Sequence, residues 1–281
     1  MYKGLDTPEQ HRQRSEYIRT LVQSPTETPA QSETHSHPIP RSIVQFWHDS
    51  QQIPRDVEEC IDSWRDWTAQ GFSHQVFDSQ SAQAFIDEAF DSRYLRAFRR
   101  CYHPAMQADY FRLCYLHING GLYVDADDVC VSNDVEFLFS DGRLKVQPLC
   151  YDVATQRMVD PKRFIFERAQ SPDWIFYLNN NPLASHPRNK VIEQALERAT
   201  DLLERSDASC LPEIQETTGP GNLSKVVYDM GASGQVDKDA LMILATWETV
   251  AVSKWPLSYR DDARNWRLSN RKIFASSEPI A

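Results

Sequence analysis

Apolar side chains recur along this chain with two distinct periods. Between Pro104 and His117, Met106, Tyr110, Leu113, Cys114 and His117 return at three and four positions, which is the spacing of one helical face. Pro104 suits a first helical position and Gly120 a stop. The segment 54–69 repeats the signature through Val57, Cys60, Ile61, Trp64 and Trp67, opening on Pro54 and ending before Gly71. A third helix is predicted over Arg188 to Arg205, with Val191, Ile192, Ala195, Leu196, Ala199, Leu202 and Leu203 on its packed face.

Short β-favouring runs lie between these helices. Ile43 to Trp47 and Gln75 to Phe77 flank the 54–69 helix, so together they predict a strand, helix, strand unit with a right-handed parallel crossover. Leu122 to Val124 follows the 104–117 helix directly, and Ser171 to Asn181 is expected to be a strand ending in an asparagine-rich turn. Thr218-Gly219-Pro220-Gly221 is expected to be a loop opening a short helix; its glycines suit either a close backbone approach to a ligand or a plain turn. The alternation of helices with short strands predicts an α/β domain. Trp64 and Trp67 belong to its core, whereas Trp47 stands at a strand end, where ligands gather in open α/β sheets.

Residues 1–38 break the pattern. Pro8, Pro25, Pro29 and Pro38 are scattered among Gln, Ser, Thr and Glu, which predicts a flexible polar tail in which His35 and His37 are solvated. A short helix is expected around Arg14 to Gln23, where Tyr17, Ile18, Leu21 and Val22 cluster. Residues 39–281 then form a single domain, a size an α/β enzyme accommodates.

Charge and composition narrow the partners. Asp and Glu number 40 against 30 Lys and Arg, and a net charge of −10 argues against any phosphate-backbone partner, so no nucleic acid is expected. The start of the chain lacks an apolar signal core, and nowhere do eighteen uncharged apolar residues run together, so no transmembrane anchor is expected. Six cysteines, at 60, 101, 114, 130, 150 and 210, show no C-x-x-C spacing and suit reduced structural thiols better than zinc.

The densest chemistry lies at Gly120-Gly121-Leu122-Tyr123-Val124-Asp125-Ala126-Asp127-Asp128. Alternate residues of a strand share a face, which would point Asp125 and Asp127 the same way. Two such carboxylates repel unless a cation sits between them, and hard oxygen ligands suit Mg²⁺ or Mn²⁺. A solvated acidic turn would look similar. An EF-hand loop is disfavoured by Cys130 at its glycine position, although Glu136 would supply its last acid. The Asp-x-Asp-x-Val run of an aspartate-nucleophile phosphatase is matched by Asp125, Asp127 and Val129. Upstream, Asp109 and Arg112 lie three apart on one helical face; they could form a routine surface pair or a couple that fixes sugar hydroxyls and charge.

Taken in order, Ile39-Pro40-Arg41-Ser42-Ile43-Val44-Gln45-Phe46-Trp47, Ile53-Pro54, Ser63-Trp64, Ala108-Asp109-Tyr110-Phe111-Arg112, the GGLYVDAD strand, Asn180 with Ala184 and His186-Pro187, and Thr218-Gly219-Pro220 resemble the DXD-containing sugar transferases. That family includes the Golgi initiating mannosyltransferases and the glucosyltransferase domains of large clostridial toxins. The similarity runs over roughly residues 39–225 and is sharpest at 108–127.

The resemblance implies an A-type glycosyltransferase fold, a Rossmann-like nucleotide-binding mixed sheet flanked by helices. It implies a metal-dependent, retaining enzyme that moves a hexose from a UDP- or GDP-sugar to a glycan, lipid, small-molecule or protein acceptor, with Mn²⁺ or Mg²⁺ as cofactor. Carried over residue by residue, Trp47 stacks on the base, Asp109 and Arg112 hold the donor sugar, and Tyr123 lines the donor pocket. Asp125 serves ribose and metal-bound water, Asp127 ligates the metal directly, and Gln45, Asn180, Gly219 and Trp255 complete the donor site. The catalytic set is Asp109, Arg112 and Asp127; the metal set is Asp125 and Asp127. Trp255 and Trp266 flank a polar loop with Asp261 and Asp262, and either pack or belong to a lid over the donor pyrophosphate.

The chain departs from the family at Val44, where a His is usual, at Phe46, where a small residue is usual, and at Asp128, which makes the acidic end heavier. A cytoplasmic protein is expected, or an effector exported without a cleaved signal. The rival readings are a phosphatase with Asp125 as nucleophile and Asp127 as acid/base, helped by Lys225 and Asp261-Asp262, and an inactive protein that binds sugar nucleotides.

Overall fold

The computed structural model describes residues 7–24, 38–206, 212–262, 264 and 265. In chain order it forms α1 (Pro8–Gln23), β1 (Ser42–Phe46), α2 (Arg55–Arg65), β2 (Ser73–Phe77), α3 (Ser79–Ala89), α4 (Ser92–Arg99), α5 (Pro104–Asn119), β3 (Gly121–Tyr123), β4 (Asp128–Cys130), β5 (Leu144–Asp152) and β6 (Arg157–Met158). Then come β7 (Trp174–Ser185), α6 (Lys190–Arg205), α7 (Ile214–Thr217), α8 (Pro220–Ala232), β8 (Leu241–Ile243) and β9 (Ala251–Ser253).

The main sheet is mixed, in the order β2-β1-β3-β7-β5-β6 with β8 beside β5. β1 is parallel to both β2 and β3, which is the crossover predicted for the first strand, helix, strand unit. β7 then runs antiparallel to β3 and β5. Helices cover both faces, and the alternation of the strands sends successive side chains into two cores. Val44 and Tyr123 enter the core shared with α5, α6 and α8, while Ile43 and Leu122 enter the core of Trp64, Trp67, Phe72 and Trp247.

Two glycines set the passage from α5 into β3. Gly120 and Gly121 have φ of +65° and +104°, and a Cβ at Gly121 would stand 2.7 Å from the Ser42 carbonyl oxygen. No other residue type fits there without strain. The helix carrying Asp109 and Arg112 is thereby followed at once by the strand that leads to the acidic run.

Two expectations need correction. The first concerns the start of the chain: the helix expected around Arg14 to Gln23 is present, but it begins earlier, at Pro8, and it packs against the domain instead of belonging to a loose tail. Its face carries Arg14, Ser15, Ile18 and Val22 at three- and four-residue spacing, with Ile18 fully buried. Two of those four are polar, so hydropathy under-reads the face. Ser15 Oγ accepts from the Phe176 amide at 2.9 Å, and Arg14 reaches Glu216 with two hydrogen bonds of 2.9 and 3.0 Å. Of the remaining tail, residues 1–6 and 25–37, with His35 and His37, lie outside the described residues.

The second concerns the asparagine-rich turn. β7 runs straight through Asn179, Asn180 and Asn181 to Ser185, where Leu183 and Ala184 pair with Tyr123 and Leu122. The asparagine side chains serve the cleft described below instead of a turn. Cys60, Cys101, Cys114, Cys130 and Cys150 are free thiols, while Cys210 lies outside the described residues.

Candidate functional site

The ends of β1 and β3, the middle of β7 and the N-terminal half of α5 converge on a cleft of about 560 Å³. α5 starts where His103 caps it, its ring nitrogen accepting from the Ala105 amide at 3.0 Å. Asp109 and Arg112 follow on its inward face, both almost fully buried, with Arg112 Nη2 3.0 Å from Asp109 Oδ1. The same nitrogen is 2.9 Å from Asp125 Oδ1, and Nη1 donates to the Asn180 carbonyl at 2.6 Å. The guanidinium also lies over the Tyr123 ring, 4.3 Å from its centre.

Asp109 is held from its other side. Asn180 Nδ2 donates to Oδ1 at 2.8 Å, and the Thr218 hydroxyl donates to Oδ2 at 3.4 Å. Gly219 is tight behind it, since an added Cβ would come 3.3 Å from Asp109 Oδ2 and 3.0 Å from the Gln215 Cα. Burial raises the Asp109 carboxyl above the ordinary range, and Arg112, Asn180 and Thr218 work against that rise.

The acidic run leaves β3 after Tyr123 and turns, with the Asp128 amide bonded to the Asp125 carbonyl at 3.1 Å. Strand alternation therefore does not reach Asp125 and Asp127; the turn is what brings both to the cleft wall. Asn181 pins this turn by accepting from the Asp125 amide at 2.9 Å and donating to Asp128 Oδ2 at 3.0 Å. Burial raises Asp125 to about 6, with Arg112 opposing and Asp127 adding to the rise. Asp128 is also raised well above the ordinary carboxylate range, first by burial and then by Asp127 and Asp125, and its Oδ1 has no hydrogen-bond partner.

Asp127 faces a different set of partners. Tyr259 Oη donates to its Oδ2 at 2.6 Å, and Arg260 Nη2 forms a short ion pair with the same oxygen. Tyr259 also meets Trp47 edge-on, with ring centres 5.2 Å apart. Trp47 is 7 % exposed and packs on Val57, Cys60, Ile61, Ala126 and Leu257 while lining the cleft.

Of the expected site residues, Trp47, Asp109, Arg112, Asp125, Asp127 and Asn180 line one cleft. Gln45 and Tyr123 are fully buried behind it: Gln45 Oε1 accepts from His74 Nε2 at 2.8 Å, and Gln45 Nε2 donates to the Asp125 carbonyl at 3.2 Å. Trp255 is 60 % exposed, outside the cleft lining, with the Arg260 guanidinium 4.0 Å above its ring. Trp266 lies outside the described residues. Lys225 does not line the cleft and pairs with Asp229 on α8, so the auxiliary lysine of the phosphatase reading is not delivered. Sequence reasoning missed Asn181, Tyr259 and Arg260; the asparagine run was a signal for the first, and no local pattern marks the other two.

Among the described residues, no three Asp, Glu, His or Cys side chains form a ready metal cluster. The donor set nonetheless fits a hard divalent cation that takes one or two carboxylates and leaves other positions to phosphate and water. The buried, unpartnered Asp128 Oδ1 and the raised Asp125 mark a wall short of positive charge.

Residues 54–140 match the family described as glycosyltransferase sugar-binding region containing DXD motif. The matched stretch holds Asp109, Arg112, Asp125 and Asp127, in agreement with the resemblance those elements carry, and it supports a sugar-transferring function. Among solved structures, "PaToxG Glycosyltransferase" is similar at 14 % identity and a TM-score of 0.47, over 91 % of this chain and 92 % of that one. No curated protein matches the chain. Among the described residues, no helix is long and apolar enough to cross a membrane.

Proposed function

We propose that the chain is a metal-dependent, retaining hexosyltransferase of A-type architecture that uses a UDP- or GDP-sugar. The observation that carries this reading is the buried Asp109–Arg112–Asp125 network facing Asp127 and Trp47 across one cleft. A surface ion pair would not be buried, doubly bonded and aimed at an acidic turn. Trp47 offers its ring to a base, while Asp109 and Arg112 present a carboxylate and guanidinium edge to sugar hydroxyls.

Asp127, with Asp125, would hold Mn²⁺ or Mg²⁺, and the cation would supply positive charge for the departing diphosphate. Asp125 is oriented for that task by Arg112 and Asn181, and preorganised charge is usually the largest catalytic contribution. Both oxygens of Asp109 are engaged, by Arg112 and Asn180 on one and Thr218 on the other. A carboxylate so restrained serves as a sugar holder better than as a nucleophile. Same-face attack within an ion pair is therefore the favoured route to retention.

The acceptor hydroxyl, whether from a glycan, lipid, small molecule or protein, would enter along the wall of Gln147, Tyr177, Asn179 and Glu248. There Asn179 donates to Gln147 and Gln147 to Glu248, each at 3.0 Å, a polar ladder suited to orienting a hydroxyl.

The test is release of nucleoside diphosphate from UDP- and GDP-sugars with Mn²⁺ and with EDTA. Asp127→Asn should fold normally and lose about a hundredfold or more of the metal-dependent turnover. Full hydrolysis in EDTA would refute the metal requirement. Phosphate trapped on Asp125, or turnover of a generic phosphomonoester, would favour the phosphatase, and nucleotide binding without any turnover would favour the inactive binder.

A further inference from the structure

Arg260 is placed unlike Arg112 on the opposite side of the cleft. Its side chain is 11 % exposed, it lies 4.0 Å above the Trp255 ring, and Nη2 is shared between Asp127 Oδ2 and the Ser253 hydroxyl, the latter at 3.4 Å. Its Nε is buried and has no hydrogen-bond partner. The residue thus occupies the position on Asp127 that a metal would need, with one donor unused. A buried donor left idle costs free energy in this state, and a state that gave it a partner would recover that cost.

The charges around it limit where it can go. Asp125 already carries Arg112, and Asp128 Oδ2 takes the Asn181 amide. If a divalent cation took Asp127, Arg260 would remain charged in the cleft and need a new anion. A donor diphosphate supplies one, with oxygens enough for Nε and Nη2 together; a guanidinium fork matches phosphate in that way.

We propose that Arg260 is a donor-binding residue that exchanges anions: it holds Asp127 while no metal is bound and passes to the donor diphosphate when a metal takes Asp127. Tyr259 moves with it, because its hydroxyl shares the same carboxylate oxygen and its ring lies against Trp47. This rests on Asp127 being a metal ligand, and it adds to that reading a competition between Arg260 and the metal followed by cooperation with the nucleotide.

The exchange predicts two opposite effects of one substitution. In Arg260→Gln, Mn²⁺ alone, followed by the loss of its free paramagnetic resonance signal, should bind about tenfold tighter, because the competing cation is gone. With Mn²⁺ saturating, UDP or GDP should bind about tenfold weaker by calorimetry, because their phosphates lose a partner. Arg260→Lys should recover part of the diphosphate affinity, and a general loss of structure would instead lower both affinities.

Mn²⁺ affinity unchanged or weaker in Arg260→Gln overturns the proposal, as does unchanged diphosphate affinity. Asp127→Asn separates it from the reading beneath it. If that variant binds Mn²⁺ as well as the wild type, or if the wild type binds neither diphosphate, the metal and donor assignments themselves fail. If Asp127→Asn abolishes Mn²⁺ binding while Arg260→Gln changes nothing, only the exchange fails.

Discussion

The cleft has two carboxylate–guanidinium walls, and they are built differently. In the first, Arg112 is 2 % exposed and meets Asp109, Asp125, the Asn180 carbonyl and the Tyr123 ring. Those partners stand on α5, β7, the end of β3 and the turn that follows it. In the second, Arg260 meets Asp127 from a single 3-10 turn, Ser258–Asp261, that follows the three-residue β9. Leu257 is the buried apolar anchor beside that turn. The same pair of ions serves a fixed purpose where long elements over-determine it and an exchangeable one where a short segment carries it.

The largest expected effect tests that distinction through stability. Arg112→Ala leaves Asp109 and Asp125 without their cation in a buried wall, and breaking such a pair costs about 3–5 kcal/mol. Arg260→Ala should cost about 1 kcal/mol or less, because Tyr259 still donates to Asp127 and cleft water replaces the guanidinium. Urea midpoints of the two variants decide the matter, and equal losses would erase the contrast between the walls.

Trp47 sits where the walls meet and should respond in both ways. Its stacking role predicts that Trp47→Ala weakens UDP or GDP binding about tenfold to a hundredfold, since base stacking is worth about 1–3 kcal/mol. Its 7 % exposure adds a second cost, up to the roughly 3 kcal/mol at the low end of buried aromatic truncation. Trp47→Phe keeps a ring, so it should recover most of the stability and part of the affinity. A Phe variant that restores stability and leaves nucleotide binding equal to that of Ala would place stacking elsewhere.

What the sequence made legible follows the range of the interactions. Asp109 and Arg112 were readable as a pair because an i, i+3 spacing on a helix fixes their neighbourhood, and the Asp-x-Asp run because a short turn keeps it together. The helices at 55–65, 104–119 and 190–205 were readable from apolar spacing. Tyr259 and Arg260 were not, because they reach Asp127 across 132 and 133 residues and nothing local records such a contact. Gln45, Tyr123 and Trp255 were expected in the pocket, yet whether a residue lines a cleft or backs it depends on depth, which residue type does not encode. The apolar half of the α1 face, Ile18 and Val22, was readable as a short helix, but its polar half was hidden because Arg14 and Ser15 bury polar groups against partners 202 and 161 residues away.

At neutral pH the smallest expected effect is that of His74 in the first wall, which shows only as the pH falls. His74 Nε2 bonds to Gln45 Oε1, and Gln45 in turn donates to the Asp125 carbonyl, so His74 braces the turn that begins the acidic run. Burial holds the His74 imidazole down to about 4, with Arg65 adding to the drop and Asp62 opposing it. An unfolded chain binds that proton near the ordinary histidine value of about 6.5. Between those values the unfolded state carries more protons, so the His74 contribution is fully present above about 6.5 and is lost as pH falls toward 4. In His74→Gln, an amide that can still donate to Gln45 replaces a ring that titrates, and the slope of stability against pH over that window should fall by up to about one proton. His48 is also held low, first by burial and then by Arg264, but it lines the open cleft near the second wall. His48→Gln should change the slope less. A larger change for His48 than for His74 would show that the buried His74–Gln45 brace does not carry the pH response.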